Sequence, residues 1–136
     1  MYRLMLLDDE KVVIRGIQRV FDLESMGFDL VGTFNNPLEA IDALEELQPD
    51  LIITDIKMPQ MNGLEFSVRA KEILGDVEIV IFSGYGDFQF AQTAVKIGIS
   101  DYLLKPIKKA DFTAMMQSMY ARIQEKKEKS SYFQSL

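Results

Sequence analysis

Five side chains able to do chemistry stand directly behind short runs of branched and aromatic residues. Asp8 and Asp9 follow the run at 3–7, Asp55 follows 51–54, Ser83 follows 79–82 and Lys105 follows 101–104. If these runs are neighbouring parallel strands, the five groups share one edge of a sheet. Three carboxylates gathered there repel one another, each close pair by roughly 4 kcal/mol at an effective dielectric of about 20, so a cation must complete the arrangement. An oxygen-only donor set suits a hard divalent ion, and Mg2+ favours one or two carboxylates, water and a phosphate oxygen over an all-protein cage. Mg2+ together with the Lys105 ammonium cancels the formal charge of Asp8, Asp9 and Asp55. A cluster so balanced is suited to accept a phosphoryl group, with Asp55 as nucleophile and the cations offsetting charge on the equatorial phosphate oxygens. The chain has no histidine, so Ser83 lacks the imidazole base of a serine triad and reads instead as a hydroxyl donor to a phosphate oxygen. Tyr102, in the last run, points toward the same region.

Each residue also has a plainer role open to it. Asp9 can cap a helix, which stabilises by a few tenths of a kcal/mol; Asp55 can form a turn ahead of Lys57-Met58-Pro59; Lys105 can be an ordinary exposed lysine. Chance placement at the ends of four separate runs is a poor explanation of all of them together.

The elements that must hold these groups are legible in the pattern. A chain of 136 residues matches one domain of ordinary size. Five apolar runs, at 3–7, 30–33, 51–54, 79–82 and 101–104, alternate with stretches of helical periodicity, the signature of a parallel sheet covered on both faces. Right-handed crossovers allow the flavodoxin-like, doubly wound order 2-1-3-4-5, whose switch point lies between the first and third strands. The pattern thus predicts an α/β fold of five strands and five helices.

The first helix should begin after Asp9, turn Val13, Ile17, Val20 and Phe21 inward, and stop before Gly27. The second opens on Asn36, Pro37 and Glu39, a capping-box variant, carries Ile41, Leu44 and Leu47, and ends at Pro49. Asn62, Gly63 and Glu65 open a third that runs to about Leu74, with Gly75 as its stop. The fourth is expected from Asp87 as cap to Gly98, with Ala91, Ala94, Val95 and Ile97 on its apolar side. The fifth starts near Lys108 and aligns Phe112, Met116, Met119 and Ile123. Residues 1–122 form the domain on this reading, and 123–136 a solvated helix extension or a linker. Lys105-Pro106 is a candidate cis peptide aiming the ammonium at the pocket.

Composition excludes much else. The absence of cysteine and histidine removes disulfides, thiolate nucleophiles and the common zinc and copper sites. A net charge of −6 disfavours a phosphate-backbone partner, so no direct nucleic-acid contact by this domain is expected. No apolar run approaches the length of a membrane span, and the N-terminus has no signal-peptide pattern, which makes the cytoplasm the default location. The run Gly84-Tyr85-Gly86-Asp87-Phe88-Gln89 fails as a dinucleotide fingerprint at its third glycine position, where Gln89 stands. Gly84 and Gly86 relax the backbone enough for that loop to move toward a new anion.

The strings LLDDE, LIITDIKMPQMNG, IFSGYG and DYLLKPI, in that order and spacing over about residues 2–122, make the chain resemble the receiver domain of bacterial two-component response regulators. The resemblance implies that Asp55 takes phosphate from a sensor histidine kinase and that Mg2+ is held by Asp8, Asp9, Asp55 and the Lys57 backbone carbonyl. It implies Ser83 and Tyr102 as the switch pair and Lys105 as the phosphate-site lysine. Lys57 and Tyr85 fall at positions that in such domains tune the lifetime of the acyl phosphate. A dimer formed on phosphorylation through the face of the fourth helix, fifth strand and fifth helix is also implied. The stretch SGYGDFQFAQTAVKIGISDYLLKPI looks like receivers that precede an AraC-type DNA-binding output domain, which would lie outside this chain.

Three other classes of protein share part of this pattern. A haloacid-dehalogenase-like phosphatase also forms an aspartyl phosphate, but needs an acid two residues on, where Lys57 stands. A flavodoxin-like cofactor binder needs a phosphate loop after the first strand, where Asp8-Asp9-Glu10 would repel the ligand without metal. A receiver-like interaction module that is never phosphorylated has the same residues. A phosphoacceptor catalysing only its own phosphorylation and dephosphorylation, rather than an enzyme, is the expectation.

Overall fold

The computed structural model describes residues 1–84 and 88–136, and for 88–91 the backbone alone. Strands and helices alternate: β1 (Tyr2–Leu7), α1 (Lys11–Val20), β2 (Phe28–Phe34), α2 (Pro37–Leu47), β3 (Leu51–Asp55), α3 (Gly63–Leu74), β4 (Glu78–Ser83), α4 (Phe88–Ile97), β5 (Asp101–Leu104) and α5 (Lys109–Ser135). All strand pairs are parallel, in the order β2-β1-β3-β4-β5. This is the expected doubly wound order.

Because side chains alternate across a strand, the central strands supply two cores at once. Leu4, Leu6, Leu51, Ile53, Val80 and Phe82 face α1 and α5, where Ile14, Ile17, Phe21, Phe112, Met116, Met119 and Ile123 close over them. Met5, Leu7, Ile52, Ile79 and Ile81 face the opposite side, against Ala40 and Leu44 of α2, Leu64, Phe66 and Ala70 of α3 and Ala94 of α4. Phe112 is the hub of the first core, stacked on Phe21 at 4.0 Å and edge-on to Phe82 at 6.3 Å between ring centroids.

Helix ends follow their local chemistry. The Asn36 side chain accepts from the Leu38 and Glu39 amides and caps α2, and Asn62 accepts from the Glu65 amide to cap α3. Gly75, at φ 76°, ends α3. Gln48, in the left-handed region, ends α2 ahead of Pro49. The Lys105–Pro106 peptide is cis.

Two inward assignments need correction. Val20 is 57% exposed and Val95 79% exposed. α1 stops at Val20 and the chain turns through 22–27, so Phe21 and Leu23 rather than Val20 reach the core from that end; Val95 sits beside Ala94, whose small side chain occupies the sheet-facing position. β2 also begins earlier than expected, at Phe28, which is fully buried and belongs to the first core. α5 continues as one helix to Ser135. The expected Asp87 cap, the inward Ala91 and the Tyr85-Gly86 turn lie outside the described residues or side chains.

Candidate functional site

The register of the central strands brings the acidic groups together. Leu7 pairs with Thr54, so the next step of each strand places Asp8 beside Asp55. On the other side Asp55 pairs with Phe82, and Ser83 with Leu104, leaving Lys105 as the first residue beyond β5. Its amide donates to the Ser83 carbonyl at 2.6 Å.

From there the Lys105 ammonium spans the cluster. Nζ lies 3.0 Å from Asp8 Oδ2, 3.2 Å from Asp55 Oδ1 and 3.9 Å from Glu10 Oε1. Asp8 also accepts from the Glu10 amide and Asp55 from the Ile56 amide, each at 2.9 Å. One carboxylate oxygen from each of Asp8, Asp9, Glu10 and Asp55 lies within 4.8 Å of the others. Asp8 and Asp55 are buried, whereas Asp9 and Glu10 are exposed. The capping role open to Asp9 is not the one it takes: Glu10 occupies the N-cap of α1, and no side chain caps that end.

One ammonium does not balance this much negative charge. Burial and then the Asp8 charge push the Asp55 carboxyl up to about 6, against the pull of Lys105. Burial likewise raises Asp8, despite its hydrogen bonds from the Glu10 amide and Lys105. Burial alone would lower Lys105, but its contacts with Asp8 and Asp55 outweigh that and raise it. Disfavoured carboxylates that share only oxygen donors are what a hard divalent cation relieves. The residues therefore fit such an ion.

Ser83 and Tyr102 stand on one face of the sheet, since Tyr102 pairs with Ile81 and Ser83 lies two residues further along β4. Tyr102 is half-buried against the second core. Ser83 is fully buried, and its Oγ has no hydrogen-bond partner among the described residues. A buried hydroxyl left unpaired is rare and is satisfied when an acceptor arrives. Lys57 lies two residues beyond Asp55 with its side chain exposed.

Three contributors escaped the sequence reading. Glu10 joins the cluster; its place behind two aspartates was the available signal. Thr54 Oγ1 donates to the Asp55 carbonyl at 2.9 Å. Gly63, read only as a helix opener, packs its α-carbon against the Asp55 backbone, where a Cβ would meet the Asp55 carbonyl oxygen inside any real contact distance. Its amide donates to Ile56 at 2.8 Å. Nothing local in the sequence announces that approach.

A family model described as "Response regulator receiver domain" matches residues 4–117. The chain belongs to that family. Receivers of this family are signalling domains rather than turnover enzymes, and they work with histidine kinases. Among curated relatives, the chain is 34% identical over 123 residues to the uncharacterized transcriptional regulatory protein YesN of Bacillus subtilis, covering 90% of this chain and 33% of the relative. It is 28% identical over 116 residues to the transcriptional regulatory protein HptR of Staphylococcus aureus, covering 85% and 45%. The chain thus spans a third to a half of the length of these relatives. Among solved structures, the REC domain of AraT, a response regulator from Geobacillus stearothermophilus, superposes with a TM-score of 0.79 at 27% identity, covering 96% of this chain and 98% of that one. A receiver domain protein from Clostridium thermocellum gives 0.81 at 27%, covering 91% and 98%. No helix among the described residues is long and apolar enough to cross a membrane.

Proposed function

We propose that this receiver is a cytoplasmic phosphorylation switch in which Asp55 accepts a phosphoryl group from the phosphohistidine of a sensor kinase. The observation that carries this reading is the Lys105 ammonium bridging Asp8 and Asp55 beside a buried Ser83 hydroxyl with no partner among the described residues. An Asp55 carboxylate oxygen attacks phosphorus, the P–O bond forms as the P–N bond to the kinase imidazole breaks, and the imidazole leaves with its electron pair. Asp8, Asp9, Asp55 and the Lys57 backbone carbonyl are the groups that would hold Mg2+, which when bound supplies charge neutralisation at the phosphoryl oxygens. Lys105 redirects its donors from Asp55 to the new oxygens, and Ser83 donates to another. Drawing Ser83 toward the phosphate frees space on the face it shares with Tyr102, which turns inward.

The change reaches the α4–β5–α5 face, where Val95 and the edge-strand residue Leu104, 51% exposed, supply apolar surface for a dimer formed on phosphorylation. The shift is limited by the difference in phosphate affinity between the two states. Residues 1–122 form the switch and 123–136 its extension toward a transcriptional output domain, a role supported by the names of the relatives. An AraC-type output is supported by the sequence resemblance around Ser83 to Ile107.

Incubation with a small phosphodonor and Mg2+, followed by intact-mass measurement, tests the reading. The parent should gain one acid-stable, base-labile phosphoryl group and Asp55→Asn none. An unmodified parent, under conditions that modify another receiver, leaves a binding module that is never phosphorylated. Light scattering should then show a larger particle after modification; unchanged size at high concentration removes the dimer.

A further inference from the structure

At the opposite end of β4 from Ser83, a second ionic centre grips α5. Glu78 is buried, accepts from Ser100 Oγ at 2.6 Å, and lies 2.7 Å from Lys126 and 3.4 Å from Arg122. Lys126 also reaches Asp76 at 2.5 Å, and Lys127 reaches Asp50 at 3.1 Å. Asp50 is itself held by the Arg3 amide at 2.9 Å. Cations on one helix thus meet carboxylates preceding β3 and opening β4, on the N-terminal rim of the sheet.

Apolar packing does not hold this part of the helix. Ile123 is the last buried residue of α5, and from 124 onward every residue is exposed except the half-buried Lys126. A hollow of about 170 Å3 separates the helix from the rim, lined by Asp50, Asp76, Ile123, Lys126, Lys127 and Ser130. The Lys129–Glu125 pair at 3.2 Å supports helicity but not docking, because both members belong to the same helix. Three turns of free helix are marginal in water.

We propose that Asp50, Asp76 and Glu78 form an ionic latch that docks residues 124–135 on the receiver as one rigid body and fixes the direction in which α5 leaves the sheet. The latch makes this segment a strut rather than a tether. Its strength is electrostatic, from direct ion pairs made by partly exposed lysines, so it is released by salt or by loss of the lysine charges while the two apolar cores stay intact.

The chain has no native cysteine, so spin labels at Glu46→Cys and Gln134→Cys report the distance between α2 and the end of α5 without interference. The parent at low salt should give one narrow distance distribution. Lys126→Gln combined with Lys127→Gln should broaden it and speed amide exchange over 126–135 roughly five- to tenfold, from the loss of the three ion pairs the two lysines make with Asp76, Glu78 and Asp50. High salt should broaden the parent in the same way, since at about 1 M the screening length falls to roughly 3 Å. Exchange in β1 and β3 should not change. Lys127→Gln alone, at an exposed position, gives a smaller change in the same direction and serves if the double variant unfolds. A broad distribution in the parent, or a variant as narrow as the parent, overturns the latch.

Discussion

Removing the Asp55 charge should stabilise the metal-free protein while abolishing its chemistry. A carboxyl moved from 3.8 to about 6 has an ionised form disfavoured by about 3 kcal/mol at neutral pH. In Asp55→Asn that penalty disappears. The pull of Lys105 at 3.2 Å is already contained in that raised value, and the amide oxygen still accepts from the Ile56 amide, so the remaining offset is the burial of the amide group itself, roughly 1–2 kcal/mol. The net expectation is a gain of about 1–2 kcal/mol, or roughly 3–6 °C in melting temperature for a domain of this size.

The sign with pH follows. A raised carboxylate penalises the fold fully above the folded value and not at all below the unfolded one, so the advantage of the variant should shrink as pH falls from 7 toward 4. Urea denaturation in a chelator, repeated across that range, measures it. Added Mg2+ should stabilise the parent more than the variant, because the variant has lost a ligand. A variant less stable than the parent at pH 7.5 in chelator would refute the view that the cluster carries surplus negative charge.

Other outcomes follow from single contacts. Gly63→Ala forces a Cβ onto the Asp55 carbonyl and should cost about 2 kcal/mol or more by chemical denaturation, with phosphoryl uptake falling as the Asp55 backbone shifts; a neutral result would mean the α3 start moves freely. Ser83→Ala removes a buried hydroxyl that has no partner among the described residues, so stability without phosphate should stay equal or rise by up to about 1 kcal/mol, while phosphorylation no longer enlarges the particle in light scattering. Phe112→Ala empties the hub between Phe21 and Phe82 and should cost about 3–5 kcal/mol in urea melts. Glu78 is pulled below the ordinary carboxylate range: burial raises it, but Lys126, Ser100 and Arg122 outweigh burial. Its stabilisation is complete above the ordinary value of 4.5 and is lost as pH falls through the lower folded value. With Asp76 the other acid facing Lys126, thermal melts of the parent should lose more than those of Glu78→Gln over that acid range.

Much of the molecule is written in local pattern. Continuous apolar runs mark strands buried on both faces, Asn36 and Asn62 cap helices through their own side chains, and a polar residue directly behind a strand must emerge at its carboxyl end. Periodicity misled at Val20 and Val95, since a helical stripe identifies a face but not how far the sheet extends beneath it. The strand order was also within reach, because right-handed crossovers with helices on both faces leave few arrangements. Once β1 and β3 are neighbours, Asp8 and Asp55 must approach each other.

What the linear chain left undecided depends on separations of tens of residues along it and a few ångströms in space. That Glu10 shares Lys105 with Asp8 and Asp55, that Gly63 must lie against the Asp55 carbonyl, that Ser83 is buried without a partner among the described residues, and that Lys126 and Lys127 reach Asp50, Asp76 and Glu78 are all consequences of packing. Composition and spacing specify which groups emerge at which edge of the sheet. Only the folded backbone sets the distances between them, and electrostatic and steric energies depend on those distances.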